Sequence, residues 1–150
     1  MKNDKNLVIL IADDDEDDRL MTREAFEELQ VPNDLFFVKD GVELLDYLNR
    51  RGAYTDQESC PRPGLILLDL NMPRMDGREA LKAIKKDDNL KSIPVSIFST
   101  SQAEEDVLRS YNLGVNCFIT KPVSFKGLVT VIAQLNSFWF ELVSLPMNNK

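Results

Sequence analysis

Leu65-Ile66-Leu67-Leu68-Asp69-Leu70-Asn71-Met72-Pro73 is the stretch that decides the fold. A short Leu/Ile-rich run closed by a carboxylate is how an α/β protein presents an acid at the carboxyl edge of its sheet, where open α/β sheets place their sites. A second apolar run, Leu7-Val8-Ile9-Leu10-Ile11-Ala12, ends the same way in Asp13-Asp14-Asp15. Two strands that deliver carboxylates to one edge can build a cation site and leave one carboxylate over as a nucleophile.

Working outward, strand and helix patterns alternate along the chain. Leu7 to Ala12 reads as a buried strand. Asp17 to Leu29 carries Leu20, Met21, Ala25, Phe26 and Leu29 at helical spacing. Pro32-Asn33 breaks that helix, and Leu35 to Val38 is a second strand. After the Asp40-Gly41 turn, Val42, Leu44, Leu45 and Leu48 mark a helix to about Arg50. Leu65 to Leu68 is the third strand. Met75-Asp76-Gly77 opens a helix that buries Ala80, Leu81 and Ile84. Pro94 to Phe98 is the fourth strand, Ala103 to Tyr111 a helix stopped near Gly114, and Cys117 to Ile119 the fifth strand. A last helix runs from about Ser124 to Val143. Five strands alternating with five helices predict an open, doubly wound parallel sheet covered on both faces, its topology limited by right-handed crossovers.

The totals exclude several classes. The chain has 150 residues, the length of one ordinary domain, and is 43% hydrophobic, enough for a real core. A single domain over 1–150 is expected, with a core from about 7 to 143. Its net charge of −7 argues against binding nucleic-acid phosphates. No apolar stretch approaches a membrane span, and the polar start predicts no secretory signal. Cys60 and Cys117 lie far apart and form no CxxC, so a reduced, cytoplasmic setting is expected.

Asp13, Asp14 and Asp69 fall at the ends of strands one and three, neighbours at the switch point of this topology. Three carboxylates there repel one another unless a cation intervenes. Hard oxygen ligands with room for water suit Mg²⁺ or Mn²⁺. Asp15 to Asp18 read as a solvated, helix-capping run. The fourth strand leads into Ser99-Thr100-Ser101, where a hydroxyl can bond a phosphoryl oxygen or cap the next helix. Lys121, at the end of the fifth strand, would face the carboxylates, pairing Asp69 at rest and a phosphoryl group when one is present. Pro122 after it is a candidate for a cis bond that aims the lysine.

The pattern resembles the receiver domain of two-component response regulators over nearly the whole chain. Its carriers are Ala12-Asp13-Asp14, Leu67 to Pro73, Asp76-Gly77, Ser99-Thr100 and Lys121-Pro122. The resemblance implies a flavodoxin-like sheet of order 2-1-3-4-5. It implies that Asp69 accepts a phosphoryl group from a phosphohistidine. Asp14 and Asp69 would ligate Mg²⁺ directly with the Asn71 backbone carbonyl, and Asp13 through a water. Ser99 would be the switch hydroxyl, with Thr100 the adjacent alternative; both are candidates to touch the phosphoryl group. Lys121 would bind that group, and Phe118 would be the aromatic switch residue. The chain has no histidine, so it cannot hold its own phosphohistidine. The donor must be another protein, a histidine kinase or phosphotransfer domain, or a small acyl phosphate. The implied role is a signalling switch, not an enzyme.

No output domain is expected after the fifth helix, and readout by protein contact is expected instead. The long Arg51 to Gly64 connection, a mobile loop or a contact surface, and the stretch Leu135 to Pro146 are both similar to stand-alone regulators that pair with phytochrome-type kinases. Phe138-Trp139-Phe140 either packs the last helix on the sheet or forms a homodimer contact; the tail 144–150 is expected to fray. Two other functions compete. A phosphatase of the haloacid-dehalogenase type also uses an aspartate after an apolar strand, but it expects a second acid where this chain has Asn71, and a cap for which there is no room. A degenerate receiver would serve only as a binding module.

Overall fold

The computed structural model describes residues 7–30, 33–100, 112–115 and 117–137. The elements are β1 (Leu7–Ala12), α1 (Glu16–Leu29), β2 (Asn33–Val38), α2 (Gly41–Leu48), a 3₁₀ turn (Gly52–Tyr54), β3 (Leu65–Leu68), α3 (Gly77–Lys86), β4 (Val95–Ser99), β5 (Cys117–Thr120) and α4 (Phe125–Ser137). The strands form one sheet in the order β2-β1-β3-β4-β5, and every neighbouring pair is parallel. This is the expected doubly wound arrangement. The helix expected at Ala103 to Tyr111, the Phe138-Trp139-Phe140 stretch and the tail lie outside the described residues.

Strands buried on both faces need apolar residues at every position, and β1 and β3 have them. Leu10, Ala12, Ile66, Leu68 and Ile97 face one core with Leu44, Leu81 and Ile84. Ile9, Ile11, Leu65, Leu67 and Phe98 face the other with Phe26, Leu128, Ile132 and Leu135. Hence α2 and α3 cover one side and α1 and α4 the other, as the period-2 alternation of each strand requires.

Differences at the element ends have local causes. β2 starts at Asn33, two residues early, because parallel pairing with Leu7 extends over polar positions of an edge strand. β4 starts after Pro94, which has no N–H but whose carbonyl accepts from the Ile66 amide at 3.0 Å. It runs on to Ser99, which pairs with Thr120. Helix α2 stops at Leu48 because Arg50 turns to a positive φ of 59°.

The Arg51 to Gly64 connection is tied down rather than loose. The Tyr47 hydroxyl donates to the Pro61 carbonyl at 2.8 Å, an Arg50 guanidinium N–H donates to the Cys60 carbonyl at 2.9 Å, and the Tyr47 and Tyr54 rings meet at 5.3 Å. Both cysteines are free, and Cys60 is buried.

Helix α3 begins with a capping box: the Asp76 carboxylate accepts from the Glu79 amide, and the Glu79 carboxylate from the Asp76 amide. Replacing Asp76 by Ala strands the Glu79 amide, while the residue-76 amide can still donate to the Glu79 carboxylate. The expected cost is about 1 kcal/mol, read as a lower urea midpoint at unchanged slope.

Candidate metal and phosphoryl site

The register levels the strand ends. Ala12 pairs with Leu68, Leu68 with Ile97, and Ser99 with Thr120. The residues that follow therefore meet at one edge. The Asp69 amide donates to the Ala12 carbonyl at 3.0 Å, the Asp13 amide to Val38, and the Lys121 amide to the Ser99 carbonyl at 2.9 Å. The side chains of Asp13, Asp69 and Lys121 are nearly closed to solvent, while Asp14 is exposed.

Each oxygen of Asp69 has a partner. One accepts from the Ser99 hydroxyl at 2.9 Å and from the Asn71 amide at 3.0 Å. The other accepts from the Lys121 ammonium at 3.0 Å. Lys121 also donates to Asp13 at 2.5 Å and to Asp18 at 3.1 Å. Burial is the largest influence on Asp13 and lifts its carboxyl above the ordinary range, although the Lys121 hydrogen bond and charge oppose it. Burial alone would weaken the Lys121 ammonium. Asp13 and then Asp69 outweigh it and raise the lysine above its usual value. The pair is thus a buried ammonium held charged by buried carboxylates.

The residues fit a hard divalent cation. Asp13, Asp14 and Asp69 each offer a carboxylate oxygen, all within 4.8 Å of one another, and exposed Asp14 leaves one side open to water. The excess of carboxylates over the single lysine gives such an ion its electrostatic reason to bind.

The structure brings Asp13, Asp14, Asp69, Asn71, Ser99 and Lys121 together. It separates the two hydroxyl candidates: Ser99 is fully buried against Asp69, whereas Thr100 is exposed. Phe118 packs with the core on the α2/α3 side, opposite Ile97 in register, rather than in the acid pocket. There is no cis peptide among the described residues, so the Lys121–Pro122 bond is trans and the cis expectation is corrected. What aims the lysine here is its set of three carboxylates.

Two contributions escaped the sequence. The first is Asp18, in the turn that Asp15 caps as expected by accepting from the Asp17 and Asp18 amides. Asp18 is more than a solvated acid, since it reaches Lys121. Helical side chains tilt toward the helix N-terminus, and that tilt was the available signal. The second is the frame of the β3–α3 loop. The Gly41 amide donates to the Met75 carbonyl at 2.9 Å, and Arg74, at a positive φ of 66°, makes a forked pair with buried Asp40 at 2.9 and 3.2 Å.

That fork has a pH consequence. Burial pushes the Asp40 carboxyl up, but Arg74 and the Glu43 amide together hold it below the ordinary carboxylate range. A depressed folded-state value contributes stability that is present above the unfolded value, about 3.9, and is lost as pH falls below it. Arg74→Gln is expected to lower stability modestly near neutrality, where this contribution is present, and to converge on the wild type below about pH 4, so that the acid limb of the stability–pH curve flattens. Urea unfolding at several pH values measures it, and an unchanged acid limb would remove Arg74 from the account.

Known proteins place this geometry. The chain matches the response regulator receiver domain family over residues 9–133. It belongs to that family of two-component signalling proteins. It is 42% identical to response regulator Rcp1 of Synechocystis sp., across 93% of this chain and 92% of that protein. Among solved structures, it is similar to the phosphorylated cyanobacterial phytochrome response regulator RcpA, with a TM-score of 0.83 and 40% identity over 91% of this chain and 96% of that one. The Mn²⁺-bound form of Rcp1 aligns with a TM-score of 0.82 and 41% identity over 93% of this chain and 99% of that one. The phosphatase alternative finds no support in these relatives. Where it would need a second acid, Asn71 supplies a backbone N–H to Asp69. No helix among the described residues is long and apolar enough to cross a membrane.

Proposed function

We propose that this protein is a phosphorylation-controlled switch in which Asp69 is the phosphoacceptor. The observation that carries it is the convergence on one buried carboxylate of a lysine, a hydroxyl and two further acids from three other strand ends. A carboxylate oxygen of Asp69 attacks the phosphorus of a phosphohistidine in line. The P–N bond breaks, the imidazole leaves with the electron pair, and an acyl phosphate forms on Asp69. Lys121 holds a phosphoryl oxygen, and the Ser99 hydroxyl, which at rest donates to Asp69, turns to donate to another. Asp13, Asp14, Asp69 and the Asn71 carbonyl would hold Mg²⁺ or Mn²⁺, which when bound neutralises charge on the transferring group.

The partner is a histidine kinase or phosphotransfer protein. A phytochrome-type kinase is the specific candidate, supported by the phytochrome response regulators among the relatives. Exposed Leu20 on α1, and Val123 and Phe125 just after Lys121, offer apolar contacts on the elements that carry the site. The phosphoryl event then biases a protein-contact surface, with Phe118 as its aromatic element and a homodimer through Phe138-Trp139-Phe140 as one form of readout. The net charge of −7 disfavours nucleic acid as the target.

Intact mass after incubation with acetyl phosphate tests the switch. One phosphoryl group is expected with Mg²⁺, and none when EDTA removes the ion. No gain in either condition would leave an inert binding module.

A further inference from the structure

We infer that Asp18 is a positioning residue, which holds the Lys121 ammonium in its resting place and must let it go before the ammonium can take a phosphoryl oxygen. This rests on the assignment of Asp69 as phosphoacceptor. An ammonium has three N–H donors and no more. Three carboxylates share them at rest: Asp13 at 2.5 Å, Asp69 at 3.0 Å and Asp18 at 3.1 Å. A phosphoryl oxygen can enter this set only by displacing one partner.

The three partners are unequal. The Asp13 and Asp69 side chains are 3% and 9% exposed, so losing the ammonium would leave each a charge with little water to replace it. Asp18 is 38% exposed and makes the longest contact. Water can take over its carboxylate at small cost. Asp18 is therefore the partner that yields.

Its place in the chain makes it suited to this. Asp18 lies in the first turn of α1, fixed by the Asp15 cap to its own amide at 3.1 Å. The helix start thus holds the carboxylate over the strand edge without lending it to the acid cluster that would hold a cation. Asp17, its neighbour, is exposed and carries the same charge, but it is not among the carboxylates that reach Lys121.

The test compares the full chain with Asp18→Asn and Asp17→Asn. The first readout is the Mg²⁺-dependent rate of phosphoryl uptake from acetyl phosphate. In that reaction the Asp69 oxygen bonds to phosphorus as the bond from phosphorus to the acetate oxygen breaks and acetate leaves. The second readout needs no phosphate: hydrogen exchange of the Lys121 ammonium protons, followed by ¹⁵Nζ NMR. Asp18→Asn is expected to speed uptake by up to about fivefold, the range of a partly exposed ion pair, and to speed the ammonium exchange. Asp17→Asn should move neither. Equal acceleration by both variants would overturn the inference in favour of general charge relief around the pocket. Unchanged exchange in Asp18→Asn, or slower uptake, would overturn it as well. If the wild type takes up no phosphoryl group yet its Lys121 exchange responds to Asp18→Asn alone, the tether stands and the phosphoacceptor assignment falls.

Discussion

Asp69→Asn is expected to take up no phosphoryl group from acetyl phosphate or from a phosphorylated kinase, at any Mg²⁺ concentration. The amide has no carboxylate lone pair to form an acyl phosphate, and it removes one of the three charges that would hold the cation. The rest of the pocket survives the change. Ser99 and the Asn71 amide can still donate to the remaining side-chain oxygen, and Lys121 keeps Asp13 and Asp18. The variant should therefore fold, and its circular dichroism spectrum should overlay the wild type. Loss of uptake in a folded protein locates the acceptor. A phosphoryl group that persists in Asp69→Asn would identify another acceptor, with the Ser99 hydroxyl the first to examine.

Gly77→Ala is expected to damage stability and phosphoryl transfer together, although residue 77 bears no chemistry. A Cβ at this position would lie 2.3 Å from the Asp69 carbonyl oxygen and 2.8 Å from the Leu70 Cα. Both are backbone atoms, so no rotamer change relieves the clash. The Gly77 amide also donates to the Leu70 carbonyl at 2.9 Å, which locks helix α3 against the loop that presents Asp69. Pushing them apart should cost about 1–3 kcal/mol. Displacing a reacting carboxylate by about 1 Å can cost on the order of a hundredfold in rate. Gly52→Ala is the control. Gly52 sits at a positive φ of 60° with nothing within 4 Å of a built Cβ. It should lose about 1 kcal/mol through its backbone alone and leave uptake unchanged. If Gly77→Ala transfers phosphoryl at the wild-type rate, the close contact does not position Asp69.

Much of this protein is local in origin and so could be read from the chain. The all-apolar strands Leu7 to Ala12 and Leu65 to Leu68 specify a sheet covered on both sides, because only that environment buries every position. Carboxylates directly after each strand must fall at one edge, because parallel strands end together. Asp15 and Asp76 as helix caps follow from their own short-range hydrogen bonds. The family resemblance then joined these pieces to Ser99 and Lys121.

What stayed hidden depends on distances between segments far apart in sequence. Ser99 and Thr100 are adjacent hydroxyls in the chain, and only the pairing of Ser99 with Thr120 turns the first inward onto Asp69 and leaves the second in water. The Arg51 to Gly64 connection has loop composition, yet Tyr47 and Arg50 hold its backbone through bonds that composition does not encode. Asp18 reads as one more acid in a solvated run, and only the packing of α1 over the strand edge brings it to Lys121. The sheet, its acid edge and the residue types available there are written in contiguous chain, since hydrophobic period and strand-end position are local properties. Which carboxylates share the lysine, and which hydroxyl reaches Asp69, depends on how the strands and α1 pack together. Those choices turn on contacts of about 3 Å between strand ends as much as 108 residues apart.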